Sequence, residues 1–182
     1  MTVENILLEL AKTSILNEFN NSFKVDKNSL LKQFPILNEQ RACFITINLN
    51  GKLRGCIGSL VAHRSLLEDV LHNAYSSAFS DLRFDRLTYN EYKHIQIEIS
   101  VLTPAVKLEY INTNDLKEKI KIKEHGVILE LDGKRATFLP HVWEQIPNFD
   151  AFFTQLSKKA GFKDSCLDKN PTIYTYTAIK IK

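Results

Sequence analysis

The segment Arg54-Gly55-Cys56-Ile57-Gly58 has the clearest potential for chemistry in this sequence. Two glycines weaken a strand unless another backbone segment or a ligand must approach it closely. In one interpretation, Cys56 is a small buried side chain on a strand that a helix crosses. In the other, Cys56 lies in a cleft beside Arg54, whose charge would favour the thiolate and create a nucleophile or redox-active group. No histidine adjoins the segment to act as a base, which favours the structural interpretation.

A second cluster of charged residues, Asp81, Arg83, Asp85 and Arg86, occupies a predicted loop after a helix. Such clusters commonly form ion pairs or hydrogen-bonded turns that fix a loop. Alternatively, Arg83 joins Arg54 in binding a carboxylate or phosphate, because a guanidinium group can form two parallel hydrogen bonds with either anion. The candidate ligand-binding residues of this anion pocket are Arg54, Gly55, Gly58, Asp81 and Arg83, and the candidate catalytic residue is Cys56.

The histidines form no pattern typical of a metal site. His63 and His72 lack the spacing of a recognised zinc site, and His125 precedes a predicted strand, where a turn residue is a simpler interpretation than a base. The sequence also lacks a P-loop, a GxGxxG motif, a radical-SAM cysteine triplet and a hydrolase nucleophile elbow. We therefore predict neither a metal nor a cofactor.

Composition narrows the class of protein further. The 182 residues suffice for one sizeable core, so we expect a single domain over residues 1–182. The net charge of +3 is small and the lysines are dispersed, which argues against nucleic-acid binding. No apolar run is long enough to span a membrane, no basic signal region begins the sequence, and the three cysteines form no paired pattern. These features indicate a reducing, cytoplasmic location.

Two β-rich runs, residues 41–49 and 53–59, flank Asn50-Gly51, which is a strong hairpin signal. A two-residue loop would place Arg54 on an apolar face, whereas a three-residue loop would pair Asn48 with Lys52 and keep that face apolar. We prefer the three-residue loop, which places Cys56 opposite Phe44. The apolar face then consists of Cys43, Ile45, Ile47, Leu53, Gly55 and Ile57, and the opposite face of Phe44, Thr46, Arg54, Cys56 and Gly58.

Apolar periodicity predicts the remaining elements. Helices are expected over residues 2–20, 65–80, 114–121 and 148–160, with a shorter helix capped by Asn28, and strands over 95–101 and 172–182. A type I′ turn at Asp132-Gly133 would pair Glu130 with Arg135 in a second hairpin. The aromatic residues Trp143, Phe149, Phe152 and Phe153 are most simply core residues. Together these elements predict an α/β fold with a mixed β-sheet and flanking helices.

Several runs along nearly the whole chain resemble the AMMECR domain, whose bacterial members are called AmmeMemoRadiSam system protein A. They occur in the family's order and are LRGCIGSL (53–60), AFSDLRFDRLT (78–88), IEISVLTP (97–104), HGVILE (125–130), RATFLPHVWEQ (135–145) and FFTQLSKKAG (152–161). Two positions differ from the usual pattern: Leu82 replaces a common proline and His141 a common glutamine. The segment after Gly161 also lacks a tryptophan that is often found there.

The resemblance implies a mixed α/β fold with a larger and a smaller subdomain and a cleft near the RGCIG segment. It also implies association, by gene grouping, with a Memo-like protein related to extradiol dioxygenases and with a radical SAM protein. It implies no particular reaction. Two alternative functions are therefore expected. The chain is either an accessory protein that binds a partner or a small anionic ligand, or an enzyme or enzyme subunit that uses Cys56.

Overall fold

The computed structural model describes residues 2–20 and 25–182 and divides the chain into two compact units. The larger unit comprises the chain up to Leu102 together with Ile179–Lys182, and the smaller unit comprises Thr103–Ala178. The predicted α/β class is confirmed, and the strands form two four-stranded sheets rather than a single one. The polar residues Asn20-Asn21-Ser22 predict a turn after the first helix, and positions 21 and 22 lie outside the described residues.

Both units contain helices as well as strands. The helices are α1 (Val3–Asn20), α2 (Lys27–Gln33), α3 (Leu66–Phe79), α4 (Tyr89–Tyr92), α5 (Thr113–Lys119), α6 (Val142–Gln145) and α7 (Phe149–Lys159), with 3-10 helices at Pro35–Asn38 and Leu167–Lys169. The strands are β1 (Cys43–Leu49), β2 (Lys52–Gly58), β3 (Ile95–Leu102), β4 (Val106–Lys107), β5 (Gly126–Leu131), β6 (Lys134–Phe138), β7 (Thr172–Tyr176) and β8 (Ala178–Ile181). Among residues 2–20 and 25–182, no helix combines the length and apolarity needed to cross a bilayer.

The sheet of the larger unit has the strand order β2-β1-β3-β8, so β2 is an edge strand. Helix α3 packs on β1 and β2, and α1 packs on α3 and β3. The apolar stripe of α3 includes Val70 and Ala74, which are fully buried, and Ser65 caps the helix by accepting a hydrogen bond from the Glu68 N–H. An apolar stripe with a polar cap is what a helix on a sheet requires.

The first hairpin differs from the predicted register. Leu49 pairs with Lys52 around a two-residue turn in which Asn50 and Gly51 have φ of 51° and 73°. The register then shifts, because a bulge in β2 makes Arg54 an extra residue, and Cys56 lies opposite Thr46 rather than Phe44. The bulge restores the predicted faces for Gly55, Ile57 and Cys56, but it leaves Leu53 on the outer face and 44% exposed.

The sheet of the smaller unit has the order β4-β7-β5-β6. The second hairpin has the predicted turn and register: Glu130 pairs with Arg135, and Asp132 and Gly133 have φ of 51° and 72°. The core on this sheet is aromatic. The rings of Trp143 and Phe152 stack with centroids 3.5 Å apart, and the four predicted core aromatics are all buried.

Two other predictions require correction. The run 172–182 is not one strand, because it is interrupted at Thr177, whose N–H donates to Thr103 Oγ1 at 2.9 Å and whose carbonyl accepts from the Thr103 N–H. The hydrogen bonds between Thr103 and Thr177 lie at the break between β7 and β8, which belong to different sheets. Helix α2 is capped by Asp26 rather than Asn28, since the Asp26 carboxylate accepts from the Ser29 N–H at 3.1 Å.

Candidate functional site

The glycines of the RGCIG segment lie where other groups approach β2 closely. A β-carbon at Gly55 would stand 2.0 Å from the carbonyl oxygen of Ser77 in α3. A β-carbon at Gly58 would stand 2.3 Å from Cγ of Phe44, the residue that pairs with Gly58 across the hairpin. Packing within the protein therefore accounts for both glycines.

Ser77 fastens α3 to the hairpin at the same crossing. The buried hydroxyl accepts a hydrogen bond from the Ile57 N–H and donates to the Ile45 carbonyl, each at 2.9 Å. The helix backbone can reach this depth only because Gly55 has no side chain. The role of Ser77 could not be predicted from the sequence, because a serine inside an amphipathic helix gives no signal of an inward hydrogen bond.

Asp81 and Arg83 cap the free edge of β2 at Cys56. The Cys56 N–H donates to Asp81 Oδ2 at 2.9 Å, and the Cys56 carbonyl accepts from Arg83 Nη2 at 3.0 Å. The two side chains are joined to each other by Arg83 Nε and Nη2, at 2.9 and 2.7 Å from the Asp81 carboxylate. The ion pair thus supplies the acceptor and the donor that a neighbouring strand would provide.

Asp81 also organises the turn that follows α3. Its Oδ1 accepts from the Arg83 N–H at 3.2 Å, and its carbonyl accepts from the Phe84 N–H at 3.0 Å. This arrangement is an Asx turn within a β-turn, and it places Leu82 at the tip with its full surface exposed. Hydrogen bonds from Arg83 hold the pKa of the buried Asp81 carboxyl well below its usual range, and the same contacts raise the pKa of Arg83.

Arg54 is held by a second carboxylate. Arg54 Nε and Nη2 donate to the two Glu91 oxygens at 2.8 and 3.2 Å, and Nη1 donates to the Asp85 carbonyl at 2.9 Å. Glu91 also completes a capping box with Thr88 at the start of α4. The Arg54 hydrogen bonds, with those from Thr88, lower the pKa of Glu91 to about 2.

These elements surround a shallow groove of about 440 Å³. Phe84 lines it, and the guanidinium carbon atoms of Arg54 and Arg83 lie 5.9 Å and 5.5 Å from the centroid of its ring. The structure thus brings Arg54 and Arg83 to one surface. The formal charges along the groove balance, because its charged lining residues are two arginines and two acids, Asp85 and Glu91.

The Cys56 thiol is half-buried on the outer face of β2. Its Sγ lies 3.4 Å from Thr46 Oγ1. The imidazole of His63 contacts the Val61 carbonyl, and that of His125 accepts from the Lys121 N–H. Burial lowers the pKa of His125. The described part of the chain contains no cluster of three His, Cys, Asp or Glu residues suited to a metal ion.

The two ion pairs give an expected dependence of stability on pH. The folded-state pKa values of Asp81 and Glu91 lie below their unfolded values, so the unfolded chain takes up protons first as the pH falls. The two carboxylates therefore contribute fully to the free energy of unfolding above about pH 5, and this contribution is lost progressively towards about pH 2. Urea unfolding midpoints measured across this range should decrease, and Glu91→Gln should make the decrease shallower. An equal slope in the variant would contradict a role for Glu91.

The thiols should differ in reactivity. All three cysteines are free, but Cys43 and Cys166 are 0% and 1% exposed, whereas Cys56 is half-buried. In the native protein, we expect one fast-reacting thiol with a disulfide reagent such as DTNB, and all three should react after denaturation without reductant. Cys56→Ser should remove the fast phase, and a fast phase that persists in this variant would show that another cysteine is accessible.

The comparisons with known proteins agree with this architecture. The sequence profile described as AMMECR1 matches residues 8–181. Protein MK0488 of Methanopyrus kandleri is 32% identical over 85% of this chain and 75% of its own length, and protein SSO0193 of Saccharolobus solfataricus is 32% identical over 99% and 81%. The crystal structure of the uncharacterized protein PH0010 from Pyrococcus horikoshii superimposes with a TM-score of 0.79 at 28% identity, covering 96% of this chain and 88% of that one. The chain therefore belongs to the AMMECR1 family.

Proposed function

We propose that this chain is an accessory protein that binds a protein partner at the groove beside β2, with Leu82 as the apolar anchor. The observation that carries the proposal is the complete exposure of the Leu82 side chain on a turn that Asp81 fixes. Covering a large apolar side chain that is otherwise exposed to water makes the free energy of binding more favourable. A turn that is already ordered loses little conformational entropy on binding.

The surroundings of Leu82 resemble the composition of protein interfaces. Arg83 is 56% exposed beside it, and Phe84 lies half-buried behind it. Arginine and aromatic residues are enriched in interfaces, and they often supply the residues that contribute most to binding. The groove therefore combines an apolar anchor with a cation that is already oriented by Asp81.

The charge balance favours a protein over a small anion as the ligand of this groove. Glu91 binds the Arg54 guanidinium, and Asp81 binds the Arg83 guanidinium. A small anion would have to compete with both carboxylates for the same donors. A protein surface can instead cover Leu82 and Phe84 and leave both ion pairs intact. The alternative function, an enzyme or enzyme subunit that uses Cys56, has a half-buried thiol in its favour.

The family resemblance makes a Memo-like protein and a radical SAM protein the first partners to test. The three free thiols support a cytoplasmic location for this complex. The binding experiment is a pull-down of each partner by the wild type, Leu82→Asp, Leu82→Pro and Cys56→Ser. Ile111→Asp is the matched control, because Ile111 is 84% exposed in the smaller unit.

We expect Leu82→Asp to weaken binding at least about thirtyfold, since removal of an interface anchor costs about 2 kcal/mol or more. Leu82→Pro, which introduces the residue common in the family, should keep the fold and most of the binding, because proline suits the second position of a β-turn and still offers an apolar side chain. Ile111→Asp and Cys56→Ser should bind like the wild type. Wild-type binding by Leu82→Asp would contradict the proposal, and loss of activity with retained binding in Cys56→Ser would favour the enzymatic alternative.

A further inference from the structure

A second groove lies wholly within the smaller unit, and the proposed function does not involve it. Its volume is about 440 Å³, and it is lined by Lys134 of β6 and by residues of the segment that follows α7, from Gly161 to Lys169. Unlike the groove beside β2, this one has an excess of positive charge. Three lysines, Lys134, Lys163 and Lys169, line it against one acid, Asp164.

The three ammonium groups are available to a ligand. The side chains are exposed, and the ion pairs found within residues 2–20 and 25–182 involve none of Lys134, Lys163 and Lys169. Lys134 is nevertheless positioned, since its Nζ donates to the Gly161 carbonyl at 3.0 Å and lies 4.6 Å from the centroid of the Phe162 ring. An ammonium group has three donors, so this single hydrogen bond leaves donors for a bound anion.

The segment around the groove is fixed at both ends. After α7, Gly161 has φ of 92°, its N–H donates to the Lys158 carbonyl at 2.9 Å, and the Phe162 N–H donates to the Ser157 carbonyl at 3.1 Å. Further along, the Cys166 N–H donates to the buried Ser157 hydroxyl at 3.2 Å. These contacts leave the lysine-bearing segment little freedom, so a ligand would meet an ordered surface.

We infer that this groove binds a small molecule that carries a phosphoryl group. Lysines bind phosphate as point charges, and Ser165 in the same lining has a hydroxyl that can donate a further hydrogen bond. The volume of the groove lies within the range of about 300–1,000 Å³ that is typical of small-molecule sites, so it has room for more than a bare phosphate ion. The ligand class is therefore a phosphorylated metabolite rather than inorganic phosphate alone.

Amide chemical shifts recorded during titration at constant ionic strength test this inference. The probes are inorganic pyrophosphate and ADP, with sodium chloride as the control salt. We expect saturable shifts in Lys134 and in the 161–169 segment with both probes and none with chloride. Lys163→Gln combined with Lys169→Gln should weaken binding at least about tenfold, because two charge-assisted contacts are lost.

The matched control is Lys32→Gln combined with Lys52→Gln, which removes the same charge from exposed positions of the larger unit. This control should bind the probes like the wild type. Equal weakening in both double variants would attribute the shifts to net charge and overturn the inference. Absence of saturable shifts in the 161–169 segment of the wild type would also overturn it.

Discussion

Replacing Gly55 by alanine should lower the free energy of unfolding by about 3 kcal/mol or more, above the usual cost of an added methylene, because the new β-carbon meets backbone. That β-carbon would stand 2.0 Å from the Ser77 carbonyl oxygen, and either α3 or β2 must move to accommodate it. Such a movement also disturbs the Ser77 hydrogen bonds to Ile45 and Ile57. Chemical denaturation monitored by circular dichroism measures the loss.

Two further variants identify the cause of this loss. Leu53→Ala changes the same strand at a side chain that is 44% exposed, and it should cost no more than about 0.5–1 kcal/mol. Ser77→Gly should not rescue Gly55→Ala, because the clash is with the Ser77 backbone rather than its side chain. Wild-type stability of Gly55→Ala, or its rescue by Ser77→Gly, would contradict this close crossing of helix and strand.

Replacing Asp81 by alanine should cost about 2–3 kcal/mol. The buried carboxylate accepts from the Cys56 N–H and from Arg83, so its loss leaves the edge of β2 without its acceptor. The cost stays below that of breaking a fully buried ion pair, because Arg83 is 56% exposed and water can solvate its guanidinium group. Urea unfolding at neutral pH measures the difference.

Asp85→Ala is the matched control for this variant. Asp85 is exposed in the same loop, and its contact with Arg54 is made by its backbone carbonyl, which alanine keeps. We expect Asp85→Ala to change stability by less than about 0.5 kcal/mol. Hydrogen exchange of the Cys56 amide should accelerate in Asp81→Ala and not in Asp85→Ala. Equal stability of the two variants would mean that Asp81 does not cap the strand.

The two hairpins illustrate how much of the fold could be predicted from sequence. Around Asp132-Gly133, the alternation of buried and exposed residues agrees with a two-residue turn, so turn and register support each other and both were predicted correctly. Around Asn50-Gly51, the same turn conflicts with alternation unless a bulge at Arg54 adds a residue. The bulge is stabilised by contacts distant in sequence, chiefly those of Arg54 with Glu91, so local patterns could not predict it.

The contacts among the candidate site residues could not be predicted from the sequence. Arg54, Arg83, Asp81 and Cys56 were selected from sequence, and the structure places them around one edge of β2. Glu91 was missed, although Thr88-x-x-Glu91 has the pattern of a capping box, because nothing local connects it with Arg54. Whether an arginine binds a ligand or an internal carboxylate depends on tertiary contacts that spacing does not encode.

Hydrogen exchange of the complex with its partner tests the proposed function most directly. In the complex formed with the Memo-like or the radical SAM protein, we predict slower exchange in residues 79–91 and 53–58 and no change in residues 161–169. The same complex with Ile111→Asp should give the same pattern. Slower exchange elsewhere in the chain, with no change in residues 79–91, would contradict the proposed function, because the partner would then bind away from Leu82.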